Sequence, residues 1–409
     1  MPPVTDRRLT RPQRRLLGLL GFPAFGLAVA YTVVGTYLPL LLNDLSGPAV
    51  TGLLIGSEGL LALFIPLLIG SWSEATRSRL GRRLPFILAG SALMIPALVV
   101  MPVGDSLLPI ALALTVFFVG YFVYYTPYYA LYPDLVPLSA RGRSQGVQGV
   151  FRSAGLLLAL SGGGLLFAIG PALPFLVAVA ALLVVTAGLL VGLRHRVRDE
   201  RRAASTRAAL RAAWLEVRAS SAVRAWMLAN GLWEGAVAAL KTFVVLYFTQ
   251  GLGATLERTA GALALVGIGA LIAAPVAGAL ADRLGHQRVM LVAAWAFAIG
   301  LLPGLLTTDE LFVIAVVPVA FAAVVLVTLP FSLLMGLLPG VGQHGAAASL
   351  FGMSRGLGIL LGPLLAGLAI QATRSLQFGA LEETNGYAAA FAVSAVLLLC
   401  SIPVLARIK

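Results

Sequence analysis

The sequence predicts an all-helical polytopic membrane protein, with twelve transmembrane helices in two related six-helix bundles. Three observations predict it. Of the 409 residues, 59% are hydrophobic and 11% are charged, against about 25% charged in a soluble chain. The apolar residues come in runs of roughly 20, each long enough to cross about 30 Å of hydrocarbon. Finally, the loop GSWSEATRSRLGRRLPFILAG (Gly70–Gly90) returns some two hundred residues later in shortened form, as GALADRLGHQR (Gly278–Arg288). Matching loops in two halves of a chain mark a duplicated architecture.

The apolar runs place the spans. In order they cover about 16–42, 50–72, 85–103, 107–132, 146–169 and 172–193 in the first half, then 223–250, 259–281, 289–306, 311–338, 343–372 and 385–406 in the second. A soluble helical protein would need polar helix faces, which most of these runs lack. Scattered Gly and Pro suit membrane helices, where neighbouring helices satisfy the freed backbone groups. The chain therefore divides into a bundle at 1–193, a basic connecting segment at 194–222 and a second bundle at 223–409. That segment reads either as an amphipathic helix on the membrane surface or as a solvated linker that fixes topology.

The formal charge of +13 is no nucleic-acid signal, because the Arg residues gather in a few loops beside apolar spans. Basic segments hold the N-terminal tail, Arg77–Arg83, Arg141 with Arg143, Arg194–Arg224, Arg283–Arg288 and Arg407 with Lys409. They alternate with segments holding Asp44, Asp105, Asp309 with Glu310, and Glu382 with Glu383. This alternation puts both termini in the cytoplasm, in a plasma membrane or bacterial inner membrane. Cys400 is the only cysteine, so no intrachain disulfide forms, and neither a metal cluster nor a nucleophile–base pair is evident. No enzyme, cofactor or metal is expected. The partners are the bilayer and a small solute, and the default state is a monomer.

Ionisable residues deep in apolar spans are costly and mark function. Glu58 lies in the second span, Arg152 in the fifth, Glu234 and Lys241 in the seventh and Arg355 in the eleventh. Glu234 and Lys241 share a helix face about 10 Å apart along the axis. By these borders Arg152 lies less than two turns inside its helix end, within reach of the interface by snorkelling, and Arg355 about three turns inside its own. A carboxyl held away from water takes up and releases a proton nearer neutral pH, so Glu58 and Glu234 are the proton-coupling candidates. A sodium site would need several oxygen ligands together, and the second span offers only Glu58 with Ser57. Protons rather than sodium are therefore expected as the coupling ion. Arg152, Lys241 and Arg355 are candidates for holding an anion or sugar hydroxyls. Five tyrosines crowd Tyr121–Tyr129. Tyr125, Tyr128 and Tyr129, with Tyr31 and Trp233, are candidates for lining a sugar site, since aromatic faces suit the C–H faces of a sugar ring.

The duplication extends to a second pattern, with Pro127 and Arg152 separated by the same 25 residues as Pro330 and Arg355. Two parallel six-helix repeats resemble the major facilitator architecture. At EATRSRLGRRLPF (Glu74–Phe86) the chain resembles the glycoside–pentoside–hexuronide cation symporters and the sucrose transporters. Thr76, Arg77, Ser78, Arg79, Gly81, Arg82 and Pro85 match their second loop, and Leu84 replaces a usual basic residue. The resemblance implies that Arg152 stands where melibiose-type members keep a sugar-site Arg. It also exposes departures. Tyr31 and Thr32 occupy the span where those members carry an acid, and Tyr125 stands near the place of another. Leu61 and Ile65 stand near the places of their cation-binding aspartates.

The expected function is alternating-access transport of a disaccharide or glycoside with a proton, closer to the sucrose type. Alternatives are a sodium-coupled sugar symporter, an exporter or carrier of amphipathic drugs or lysolipids, and a sensor or scaffold with a transporter fold. Conformational-gate residues are expected at Gly70, Glu74, Arg77, Arg79, Gly81, Arg82 and Arg83, and again at Gly278, Asp282, Arg283, Gly285 and Arg288. Their charges are expected to hold the outward-facing state.

Overall fold

The computed structural model describes residues 10–137, 140–193, 215, 217–306, 313–338, 344–376 and 379–408. Every regular element among them is helical. The first two predicted spans form one 65-residue element, α1 (Arg11–Ala75), interrupted only at Gly47, where φ is 76° and ψ is 176°. Pro48 follows and cannot donate the hydrogen bond that would continue the first limb. The two limbs therefore turn at Gly47, which lies at the end of the molecule opposite the Arg77–Arg83 loop.

After that loop come α2 (Leu84–Val100), α3 (Leu107–Leu135), α4 (Arg141–Ile169) and α5 (Leu173–Leu193). The predicted amphipathic linker falls almost wholly on residues 194–214 and 216, outside the described residues. The second half begins with α6 (Ser221–Leu246), whose Ser220 side chain caps the Val223 amide. It continues through α7 (Leu256–Leu284), α8 (His286–Gly300) and the short α9 (Leu302–Leu306). Then follow α10 (Val313–Thr328), α11 (Pro330–Leu337), α12 (His344–Thr373), α13 (Gly379–Glu383) and α14 (Ala389–Ala406).

Three boundaries differ from expectation for local reasons. The tenth span divides at Leu329, because Pro330 opens a new helix. The twelfth starts at Ala389 rather than 385, after a turn in which Asn385 and Gly386 both have positive φ. Helix α4 starts at Arg141 rather than 146, so Arg152 stands about 16 Å along its axis. Arg355 is equally far into α12, which starts at His344. Both arginines thus lie about three turns from the helix start, which for Arg152 is deeper than the sequence borders placed it.

The two duplicated loops share a backbone device. Gly81 and Gly285 have φ of 83° and 89°, a conformation that side chains disfavour. It reverses the chain between one span and the next at both sites.

The halves meet along α1, α4, α6, α7 and α12. The second limb of α1 lies against α12, with Gly52, Gly56 and Gly59 facing carbonyl oxygens of Pro363, Leu360 and Gly356. Near the Gly47 turn the two halves are also joined by side chains. Asn43 donates to Gln250 Oε1 and to the Tyr387 hydroxyl, both at 2.8 Å, and Gln250 donates to Asp44 at 2.8 Å. Arg374 donates to the same Tyr387 hydroxyl at 3.2 Å.

Candidate transport site

A cavity of about 440 Å³ lies between the halves. Five charged side chains line it, namely Glu58, Arg152, Glu234, Lys241 and Arg355. These are the five ionisable residues that the sequence singled out within spans.

Glu58 is brought in by the second limb of α1 and is 6% exposed. The Tyr31 hydroxyl, from the first limb, donates to both its carboxylate oxygens at 2.9 and 3.0 Å. Lys241 comes from α6 in the other half and stands 3.7 Å from the centre of the Tyr31 ring, a cation–π contact. Lys241 is also an electrostatic neighbour of Glu58. Gly35 leaves the space that its ammonium fills, since a Cβ there would come within 2.6 Å of Nζ. Tyr31, Glu58 and Lys241 therefore form a polar bridge across the bundle interface.

A second group lies within the C-terminal half. Arg355 Nε is 3.6 Å from Glu234 Oε2, joining α12 to α6. Glu234 is 4% exposed, and its other oxygen, Oε1, has no hydrogen-bond partner among the described residues. One turn earlier on α6, Asn230 donates to Ser354 at 2.8 Å. Seven residues separate Glu234 and Lys241, and each takes a different partner instead of pairing with the other.

Helix α3 supplies an aromatic ladder. Tyr31 stacks on Tyr121 at 5.2 Å, Tyr121 on Tyr125 at 5.4 Å, and the Tyr125 and Tyr129 rings are 4.1 Å apart. The four-residue spacing puts Tyr121, Tyr125 and Tyr129 on one helix face toward the cavity. Tyr128 touches the cavity, but its hydroxyl donates to the Leu20 carbonyl at 2.6 Å, so it pins α3 to α1. Trp233 corrects the sequence reading. It is fully buried, is not among the cavity-lining residues, and donates to Ser401 of α14 at 2.8 Å. Its place on a helix that does line the cavity was legible, but which side of that helix faces inward was not.

Arg152 is exposed and makes no hydrogen bond or ion pair among the described residues. It is the cation of the set without a partner. Another part of the lining is of another kind. Leu263 and Val266 of α7 and Val319, Ala323, Val324 and Val327 of α10 present aliphatic groups, and Thr328 at the end of α10 turns its hydroxyl back to the Val324 carbonyl at 2.7 Å.

The expected gate residues separate by copy. Arg83 is buried and donates to Asp134 at 3.1 Å and to Ser73 at 2.7 Å, with Glu74 3.6 Å away. Asp134, at the end of α3, was not picked out from sequence. The acid in PYYALYPDL was its only signal. Arg77 and Arg79 are exposed, whereas Arg82 and Gly70 are half-buried. In the second copy Asp282, Arg283 and Arg288 are exposed and make no ion pair among the described residues. Gly278 is half-buried there.

Membrane-length apolar helices, a duplicated topology and a charged cavity between the halves define a polytopic membrane transporter of a small solute. The family profile of the Major Facilitator Superfamily matches residues 20–266 and 235–408. The chain belongs to that superfamily. Its structure is similar to a bacterial homologue of the human lysosomal transporter Spinster in an inward-facing, occupied conformation, with TM-score 0.76 and 16% identity over 97% of both chains. It is also similar to the nucleoside transporter NupG, with TM-score 0.74 and 14% identity over 97% of this chain and 99% of that one. None of the curated proteins compared with the chain matches it.

Proposed function

We propose that the chain is a proton-coupled secondary transporter of an amphipathic solute, working by alternating access. The observation that carries this is the contrast between two parts of the cavity lining. Hydroxyls and charges come from α1, α3, α4, α6 and α12, whereas α7 and α10 offer aliphatic groups except for Thr328, whose hydroxyl is taken up by its own helix. A solute with a polar head and an apolar body satisfies both. A disaccharide would turn part of its hydroxyl rim toward groups that cannot hydrogen-bond, at the cost of unpaired polar groups.

Coupling is assigned to Glu58 and Glu234. Glu58 is placed so that its charge matters to the bundle interface, because Tyr31 and Lys241 meet it from both halves. A proton on Glu58 would weaken its attraction for Lys241 and so loosen one cross-bundle contact. Glu234 plays the matching part within the second half, against Arg355. A second reading, the sugar symport expected from sequence, is favoured by the tyrosine ladder, whose rings are a platform for a pyranose face. Likeness of fold does not choose between them, since one structural neighbour is a nucleoside transporter and another is a homologue of a lysosomal one.

The test is pH-gradient-driven accumulation in proteoliposomes. Decyl sulfate, decyltrimethylammonium and decyl glucoside share one chain and differ in head group, and sucrose and melibiose serve as sugars. Accumulation of a decyl compound, lost in Glu58→Gln and Glu234→Gln while exchange persists, is expected. Accumulation of a sugar with none of the decyl compounds would overturn the amphiphile reading in favour of sugar symport. Full accumulation by both variants would remove the coupling assignment.

A further inference from the structure

The charges in the cavity do not cancel, and the surplus has one address. Two carboxylates face three cations. Glu58 is held by the Tyr31 hydroxyl and faces Lys241, and Glu234 is bound to Arg355. Among the described residues that leaves Arg152 as the uncompensated charge of the cavity. Its guanidinium lies about three turns into α4, within a helix long and apolar enough to cross a membrane, and is open to the cavity. A cation at that depth is costly without a counter-charge, and cavity water supplies only a weak substitute. The α3 ladder lines the same cavity, with Tyr121 an electrostatic neighbour of both Arg355 and Arg152 and with Tyr125 and Tyr129 further along the same face. Planar guanidinium donors with phenol O–H groups make a receptor for a compact oxyanion.

We infer that Arg152 is the head-group selector of the cavity and that the transported amphiphile carries a single negative charge, as a carboxylate, sulfate or phosphodiester. This rests on the reading of the cavity as an amphiphile site and adds the sign of the head group. In this arrangement the anion takes the place of cavity water at Arg152, while the chain lies along the aliphatic surface of α7 and α10. With both carboxylates ionised, the solute then makes cavity and cargo together electrically neutral, so binding in that protonation state draws no further counter-ion into the membrane.

The test is equilibrium binding of radiolabelled decyl sulfate to the full chain in phosphatidylcholine nanodiscs, corrected with empty nanodiscs. Unlabelled decyl glucoside and decyltrimethylammonium serve as competitors. Decyl sulfate is expected to bind about tenfold or more tightly than either, the scale of a hydrogen bond to a charged group. Arg152→Gln should erase that preference, and Arg152→Lys should keep most of it. Equal binding of all three head groups, or an unchanged preference in Arg152→Gln, overturns the anion assignment and leaves the amphiphile reading in place. Absence of saturable binding by any of them overturns both. If Arg152→Gln does not fold, the head-group series on the unaltered chain still decides the sign.

Discussion

Arg152 and Arg355 stand at matching places in the two halves, each eleven residues after the first residue of its helix, yet among the described residues only Arg355 has an acid beside it. Glu234 on α6 occupies Arg355, whereas the corresponding arginine in the first half faces open cavity. The duplicated loops diverge in the opposite direction. In the first, Arg83 is locked by Asp134, Ser73 and Glu74; in the second, Asp282, Arg283 and Arg288 lie exposed. Duplication therefore preserved the backbone, including the positive-φ glycines Gly81 and Gly285, and left the side-chain partners to diverge. The first half holds its charge network at the loop and leaves its cavity arginine available. The second half pairs its cavity arginine and leaves its loop charges available.

The sharpest way to break this contrast is at Arg83. Its side chain is 6% exposed, with Asp134 and Glu74 at 26% and 32%. Arg83→Ala leaves two carboxylates and the Ser73 hydroxyl facing a buried gap. After allowance for the partly exposed partners, the loss should be about 2–3 kcal/mol. The check is thermal unfolding in detergent, where a drop of several degrees is expected. A melting temperature equal to that of the parent chain would mean that the network adds no stability.

A smaller effect is expected at Arg355. Its side chain is 36% exposed, so solvent screens its pairing with Glu234, and the pair should contribute about 1 kcal/mol. Arg355→Gln still leaves a nearly buried carboxylate whose Oε1 already lacks a partner. The double variant Glu234→Gln/Arg355→Gln removes that uncompensated charge and should recover part of the lost stability. A double variant no more stable than Arg355→Gln would show that the two residues do not act as a pair.

What the sequence made legible follows from which forces are local. Apolar runs and loop glycines are local, and they gave the spans and the repeat. The cost of burying a charge is also nearly local, so Glu58, Arg152, Glu234, Lys241 and Arg355 could each be named, and all five line one cavity. Pairing is not local. Nothing in the chain near Asn43 announces Gln250 or Tyr387, which are 207 and 344 residues away. Nor does a helix with apolar residues on every side show which side meets the cavity. Trp233 was therefore placed in the site, although it packs on α14 through Ser401. Gly52, Gly56 and Gly59 did carry a usable signal, since small residues three and four apart mark close helix contacts in membranes.

The least effect on stability, and the most informative about motion, is expected at Asp282. It is exposed and makes no ion pair among the described residues. Asp282→Asn should therefore leave the melting temperature within the change typical of a surface site, about 0.5 kcal/mol in stability. Its sequence pattern nevertheless matches a loop in which charge contacts do form, and the sequence predicts such contacts in the outward-facing state. Spin labels on the two loops would separate the possibilities by distance measurement. An unchanged distance distribution in Asp282→Asn would mean that the second loop is a turn and nothing more. A shift in that distribution at constant melting temperature would mean that Asp282 finds its partner only in the other state. The two loops would then differ in when their charges are engaged, and no longer in whether they are.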